Sequence, residues 1–260
     1  MISFADVCDA AFLITSTVTY ARYENAKNEL HRVGIHDFRT VCDAPSAYKD
    51  FLYSAFKREN RLNRWVRENK SAFLVTLSHY AAISQAYHTG SERALFMEDD
   101  ICFLREQDEI SEILSGLPPS ADIVLFDHNG ERDLPKYTQS LDDARRQNEK
   151  FIKFPCDVRT ATCYLLSRAG MKYVLNLMNP LANRRVYHND RYWDVKYWKP
   201  GTAFIAVTPP AFQRPFSGVA TNSTSKALAT YATIRERIGI PLEKYNISQE
   251  QLDIYRRNAS

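Results

Sequence analysis

Glu98, Asp99 and Asp100 stand in a row inside "RALFMEDDICFL", residues 93–104. Adjacent carboxylates repel, and the Ala94-Leu95-Phe96-Met97 run before them reads as a buried strand. Three acids at a strand end are costly unless positive charge meets them there, and a metal ion is the first candidate. Hard cations such as Mg²⁺ and Mn²⁺ prefer carboxylate oxygens, use one or two of them, and complete their shell with phosphates and water. In open α/β sheets, ligands bind beyond the carboxyl ends of the strands. The triplet therefore points to a metal holding a diphosphate. Taken alone, it is also explained by a solvated turn or a cap for the next helix.

Elements that could position such a cluster are legible around it. "AFLIT" (11–15) reads as a strand, 22–33 as an amphipathic helix stopped by Gly34, and "FRTVC" (38–42) as a second strand. A β-α-β opening predicts a parallel sheet flanked by helices. Residues 46–70 are polar and aromatic, helical or irregular. A helix over 73–89 is expected to turn Phe73, Leu77, Tyr80, Ala81, Ser84 and Tyr87 inward. At helical spacing from Val75, Ile83 and Ala86, His79 reads as a hydrogen-bonded core histidine standing behind the site, not a metal ligand. Further along come a helix over 107–117 ended by Pro118-Pro119 and a strand over 121–126 that delivers Asp127 to the same edge. Residues 131–150 hold many charges and few large apolar groups, and predict a surface loop or mobile lid. A strand over 162–167, a helix over 168–177 and a strand over 203–208 follow. Residues 218–226 are small and polar, and helices are expected near 227–238 and 248–257. No linker interrupts the chain, so 1–260 is read as one domain with a helical tail from about 227.

The chain has 260 residues, enough for a sizeable core. A net charge of +3 gives no reason to invoke nucleic acid. With 15 Tyr and 14 Phe, the chain is rich in rings that either pack a core or line a sugar or base site. No apolar run approaches the roughly 20 residues that span a bilayer. "MISFADVCDAAFLIT" lacks a basic leader, so no signal peptide is expected. The 5 cysteines form no CxxC pair, which predicts neither a zinc site nor a disulfide framework. The sequons at Asn222, Asn246 and Asn258 are read as chance matches. A reducing, cytoplasmic setting is the expectation.

The order Ser78-His79, "MEDDI" (97–101), "ADIVLF", "TCYLLSRAGMKYVL" (162–175), "YHND" (187–190) and "TPPAFQRPFSG" (208–218) resembles glycosyltransferase family 25, which includes lipooligosaccharide galactosyltransferases and collagen galactosyltransferases. The likeness runs over most of 11–225 and is most specific from Ser78 to Ile101. It departs before the Ser-His pair, where the family's glycine-cysteine turn is replaced by "FLVTLSH", and the N-terminal match is loose. The resemblance implies an α/β fold of the GT-A type, a nucleotide-diphospho-sugar transferase sandwich with a mostly parallel central sheet. It implies Asp100 as the ligand of Mn²⁺ or Mg²⁺; His188, from its place beside the aspartate at 190, is read as a further metal ligand or an acceptor contact. Glu98 and Asp99 would contact the donor, with Thr15, Arg22 and Arg214 beside it. The donor would be a UDP-sugar, galactose by default, and the acceptor a glycan or lipid-linked saccharide, as in lipopolysaccharide biosynthesis.

The family's linkages imply inversion, and an inverting transfer needs a general base. Asp190, at the family's downstream aspartate position, is the first candidate and Asp194 the second. A helix cap for "RYWDVKYW" is an equal reading of Asp190. Trp193, Tyr197 and Trp198 offer faces for stacking on an acceptor sugar, or core packing. Peripheral membrane contact through the basic C-terminal helices is a further expectation. Two other readings compete. A nucleotidyltransferase uses a similar sheet, but the first turn "LITSTVTYAR" lacks the glycines of its usual phosphate loop. A non-catalytic carbohydrate-binding scaffold would not need an intact acidic triplet.

Overall fold

The computed structural model describes residues 1–15, 20–42, 46–128, 134–158, 162–179, 186–187, 198–199 and 201–213. Its centre is a seven-stranded sheet in the order β2-β1-β3-β7-β5-β8-β6, built from β1 (Ala10–Thr15), β2 (Arg39–Cys42), β3 (Arg93–Glu98), β5 (Ile123–Leu125), β6 (Phe151–Lys153), β7 (Cys163–Ser167) and β8 (Ala203–Ala206). β1, β2, β3, β5 and β8 run one way, while β7 and β6 run against them. The sheet is therefore mostly parallel, as expected. A second, two-stranded antiparallel sheet pairs β4 (Ile101–Phe103) with β9 (Ala211–Gln213). Neither short strand is apparent in the sequence.

Both faces of the main sheet are covered, which is why its central strands read as continuous apolar runs instead of alternating ones. Successive residues still point to opposite sides. Phe12, Ile14, Ala94, Phe96, Tyr164, Leu166, Ile123 and Leu125 share one core. Ala82, Ile83 and Ala86 of α5 (Lys70–His88), Tyr137 and Leu141 of α7 (Leu134–Arg146), and Met171 and Val174 of α8 (Arg168–Met178) close over that core. Leu13, Leu95, Met97, Cys163, Leu165 and Val124 face the other way. They meet Phe4 of α1 (Phe4–Val7), Ala26 and Leu30 of α2 (Tyr20–Arg32), and Ile110, Ile113 and Leu114 of α6 (Gln107–Ser115). A third, smaller core of Phe56, Leu62, Val66, Phe73 and Val186 ties α3 (Ser46–Arg58) and α4 (Arg64–Glu68) to the start of α5.

Local chemistry agrees with these bounds. α2 ends at Gly34, whose φ of +82° is a left-handed turn that favours glycine. α8 is capped by the Ser167 hydroxyl, which accepts from the Gly170 N–H at 3.0 Å and donates to Asp122 Oδ1 at 2.8 Å.

Two sequence expectations are corrected. Residues 134–146 are not a loop or lid but the helix α7, with Tyr137, Leu141 and Ala144 buried. Three apolar residues at spacings of four and three suffice for a one-sided helix, however charged its outer face. On α5 the buried face is Ala72, Phe73, Thr76, Ser78, His79, Ala82, Ile83 and Ala86; Leu77, Tyr80, Ser84 and Tyr87 are only partly buried and Ala81 is exposed. The helix rotates to bury small residues because it is packed closely against α8 and the strands at once. Of the two readings open for Trp198, the structure supports core packing: the ring is buried and meets Tyr173 of α8 edge-on. No helix among the described residues is long and apolar enough to cross a membrane. The expectations for 218–226, 227–238 and 248–257 lie outside the described residues.

Candidate functional site

The parallel register sets the carboxyl ends of β1, β2 and β3 side by side, with Thr15 opposite Cys42 and Ile14 opposite Glu98. β7 runs the other way, so its first residues reach the same edge, and the Thr162 carbonyl accepts from the Glu98 N–H at 2.9 Å. Past β7, β5 delivers Asp127, whose N–H bonds to the Cys163 carbonyl at 3.3 Å. Asp99 and Asp100 form the turn by which the chain leaves β3 for β4. The predicted acids thus converge on one edge of the sheet.

α2 fixes that turn from two points. Near its start, Arg22 lies 2.5 Å from Asp99 Oδ1 and 3.1 Å from Asp100 Oδ2. Toward its end, Glu29 accepts from the Phe103 N–H at 3.0 Å, and the Arg32 guanidinium donates to the Phe103 carbonyl at 2.6 Å. One helix therefore brings the cation and holds the strand that follows the acids. Thr15 donates to Asp99 Oδ2 at 2.8 Å. Asp99 and Asp100 are each only 6% exposed. Two carboxylates withdrawn this far from water need compensating charge, and Arg22 supplies part of it.

Glu98 is held differently. Its Oε1 is 2.7 Å from Nε2 of His79, which is fully buried, and the other ring nitrogen, Nδ1, is 2.7 Å from the Tyr164 hydroxyl. Nε2 donating to Glu98 and Nδ1 accepting the Tyr164 O–H satisfy this line of groups. Burial, reinforced by the Glu98 charge, pushes the Tyr164 phenol well above its usual range, so it stays a donor. Burial and then the Asp127 charge push the Cys163 thiol well up in the same way. His79 stands behind the site as the sequence predicted. Tyr164 was missed, because nothing in "TCYLLS" marks one ring of a buried strand as a hydrogen-bond partner.

Thr162 was missed as well. It is 1% exposed, and its hydroxyl finds no hydrogen-bond partner among the described residues. Arg22 Nε is likewise buried without an acceptor there. Orphaned polar atoms are rare in native cores, and here two of them belong to the residues that frame the acidic turn.

Among the described residues no group of three or more His, Cys, Asp or Glu is gathered so as to hold a metal ion by itself. The donor set still suits a hard cation: Asp99 and Asp100 offer carboxylate oxygens only, and such ions take the rest of their shell from phosphate and water. Asp190, Asp194, His188, Trp193, Tyr197 and Arg214 lie outside the described residues. The chain leading to the first of them is anchored. Val186 pairs with Leu62, and the Tyr187 carbonyl accepts from the Thr76 hydroxyl at 3.4 Å, one turn of α5 before His79.

No family model matches the chain, and no curated protein sequence matches it. Among the solved structures similar in backbone are two glycosyltransferases. Mouse xyloside xylosyltransferase 1, in its apo form, aligns over 72% of this chain and 80% of its own, at 9% identity and a TM-score of 0.33. A glycosyltransferase involved in glycosylation of the major capsid of PBCV-1 aligns over 89% of this chain and 100% of its own, at 11% identity and a TM-score of 0.32. Likenesses this distant say nothing of what the chain acts on.

Proposed function

We propose that the chain is a metal-dependent glycosyltransferase of the GT-A type, similar to family 25, that moves a sugar from a UDP-sugar to a glycan or lipid-linked acceptor with inversion. The observation that carries this reading is the buried Asp99-Asp100 turn at the carboxyl edge of the sheet, bridged by Arg22 and flanked by Glu98 on its His79 support. Asp100, aided by Asp99, would hold Mn²⁺ or Mg²⁺. Bound there, the ion would offset the negative charge that gathers on the departing UDP.

The chain's own groups have definite work in this reading. Without donor, Arg22 neutralises the two aspartates. A diphosphate offers Arg22 a better bidentate partner, so the guanidinium exchanges carboxylates for phosphate as the donor enters. Glu98, its rotamer fixed by His79, accepts from a hydroxyl of the ribose or sugar. Asp190 takes the proton of the acceptor hydroxyl as that oxygen attacks the anomeric carbon. The tether at Val186 and Tyr187 supports this assignment, since Asp190 is three residues on and within about 10 Å of chain reach. Asp194 is the alternative base, and His188 and Arg214 are the remaining candidates for metal and diphosphate.

Calorimetry with UDP, with and without Mn²⁺, is the direct test. Wild-type protein should bind UDP only with the metal, and Asp100→Asn should lose both binding and transfer. Asp190→Asn should keep binding and lose roughly two to four orders of magnitude in transfer. UDP binding that persists unchanged in excess EDTA removes the metal from the site. A panel of sugar nucleotides then identifies the donor.

A further inference from the structure

The chain's charge is unevenly placed. Residues 46–70 contain seven Lys and Arg (49, 57, 58, 61, 64, 67, 70) against three acids (50, 59, 68), a net +4, while the whole chain carries +3. The remaining 235 residues therefore sum to −1. Within the block, Lys70 pairs with Asp50, Arg61 with Glu59 and Arg64 with Glu68, which accounts for all three acids. Lys57, Arg58 and Arg67 are exposed beyond those pairs.

Exposed apolar surface collects on the same block. Past the first two residues of the chain, the large hydrophobic side chains exposed among the described residues are Tyr48 at 58%, Phe51 at 66% and Tyr173. On α3, Ala47, Tyr48, Phe51, Ser54 and Arg58 form the outward face, while Lys49 and Phe56 are buried beneath it. Two rings one turn apart, with a cation two turns further on, make a helix face that is apolar at its start and basic at its end. α3 begins only three residues after β2, whose last residue, Cys42, is level with Thr15 at the edge that holds the acidic turn.

We infer that α3 and α4 form a docking surface for an anionic lipid bilayer. Phe51 and Tyr48 enter the headgroup boundary, and Arg58, Lys57 and Arg67 lie over acidic headgroups. A helix face with an exposed phenylalanine, which has no hydrogen-bonding group, suits a lipid interface better than a soluble glycan. Amphipathic helices with aromatic and basic faces bind in this way, and each basic residue near an acidic leaflet adds to the attraction. This surface is distinct from the C-terminal helices expected from sequence to do the same work.

The test is co-sedimentation of the full chain with phosphatidylcholine vesicles, with and without phosphatidylglycerol. Binding should require the anionic lipid and weaken with salt. Arg58→Glu should lower the partition coefficient roughly tenfold or more, and the paired change Tyr48→Ser, Phe51→Ser should lower it by a comparable factor. Lys172→Glu, an equal change of charge on exposed α8, should leave it alone. All of these residues are solvent-facing, and thermal melting confirms that each variant folds. The inference is overturned if the vesicles do not bind, or if Lys172→Glu matters as much as Arg58→Glu. It is equally overturned if the α3 variants abolish binding to heparin or DNA, or dissociate a dimer, while vesicle binding is unchanged. Neither observation involves the acidic turn, so UDP binding by the same variants reports on the nucleotide site separately.

Discussion

At the scale of single residues, two buried histidines show how one side chain can serve different ends. His79 links Glu98 to Tyr164 and so belongs to the site. His128 follows Asp127 on the same chain but is closed off: Nε2 donates to the Ala206 carbonyl at 2.6 Å, and Nδ1 is 2.7 Å from the Tyr137 hydroxyl. Burial, helped by the Arg145 charge and opposed by the Ala206 bond, pulls the His128 pKa down to about 4. The unfolded chain takes up this proton near pH 6.5, so between about pH 6.5 and 4 it binds a proton that the folded chain refuses. Stability is full above that window and falls as the pH drops through it, by roughly 3 kcal/mol in all. His128→Gln keeps an N–H for Ala206 and cannot titrate. The gap between urea midpoints taken near pH 7 and near pH 4 should be smaller in the variant than in the wild type, since the carboxylates that titrate over this range act on both. The acids were legible as residues because carboxylates in series at a strand end are conspicuous. The groups around them, the Thr15 hydroxyl on Asp99, the Thr162 carbonyl on the Glu98 N–H and the Tyr164 hydroxyl on His79, were not legible as a network, since such groups are ordinary in a strand until the register sets them together.

Elements were easier to read than the faces they bury. β1, β3 and β5 announce themselves as short apolar runs, and α2 and α8 as periodic segments with a stop or a cap. α7 was misread because its charge drew attention from three buried positions. Its status as a packed helix has a plain consequence: Leu141→Ala should cost about 2–5 kcal/mol, measured by urea denaturation, where a lid residue would cost almost nothing. β4 and β9 escaped notice because three-residue strands lack a period. At the start of α8, Gly170 fits against backbone. A Cβ there would lie 2.1 Å from the Asp122 carbonyl oxygen, closer than any real contact. Gly170→Ala should therefore destabilise by roughly 1–3 kcal/mol or more, despite alanine's better helix propensity, and a lowered thermal midpoint would show it.

At the scale of the whole molecule, three cores share the work among the described residues, two on the faces of the sheet and one under the basic annex. The candidate site is at the rim where the carboxyl ends meet, so its residues come from distant parts of the chain and depend on the fold being complete. A ligand that binds only this assembled rim stabilises the molecule by mass action. UDP with Mn²⁺ at a hundred times its dissociation constant should add about 2.7 kcal/mol, read as a rise of several degrees in the melting midpoint that EDTA cancels. Sequence reasoning reached the parallel sheet because β-α-β order is local. It did not anticipate that β7 would run backwards through the middle, a long-range fact that no local period encodes.

That reversed strand governs how the protein can be made. β7 joins β3 to β5, and without it the strands on either side have no common edge. On the ribosome, β1, β2 and β3 can pair as soon as residue 98 has emerged, but β3 then presents a bare, apolar edge until Cys163 to Ser167 arrive. An unpaired edge of that kind invites pairing with another chain. The same strand that closes the sheet late also brings its own first residues to the rim of the candidate site. The nascent chain is thus vulnerable to misassociation through the same interval in which the rim of the candidate site is still incomplete.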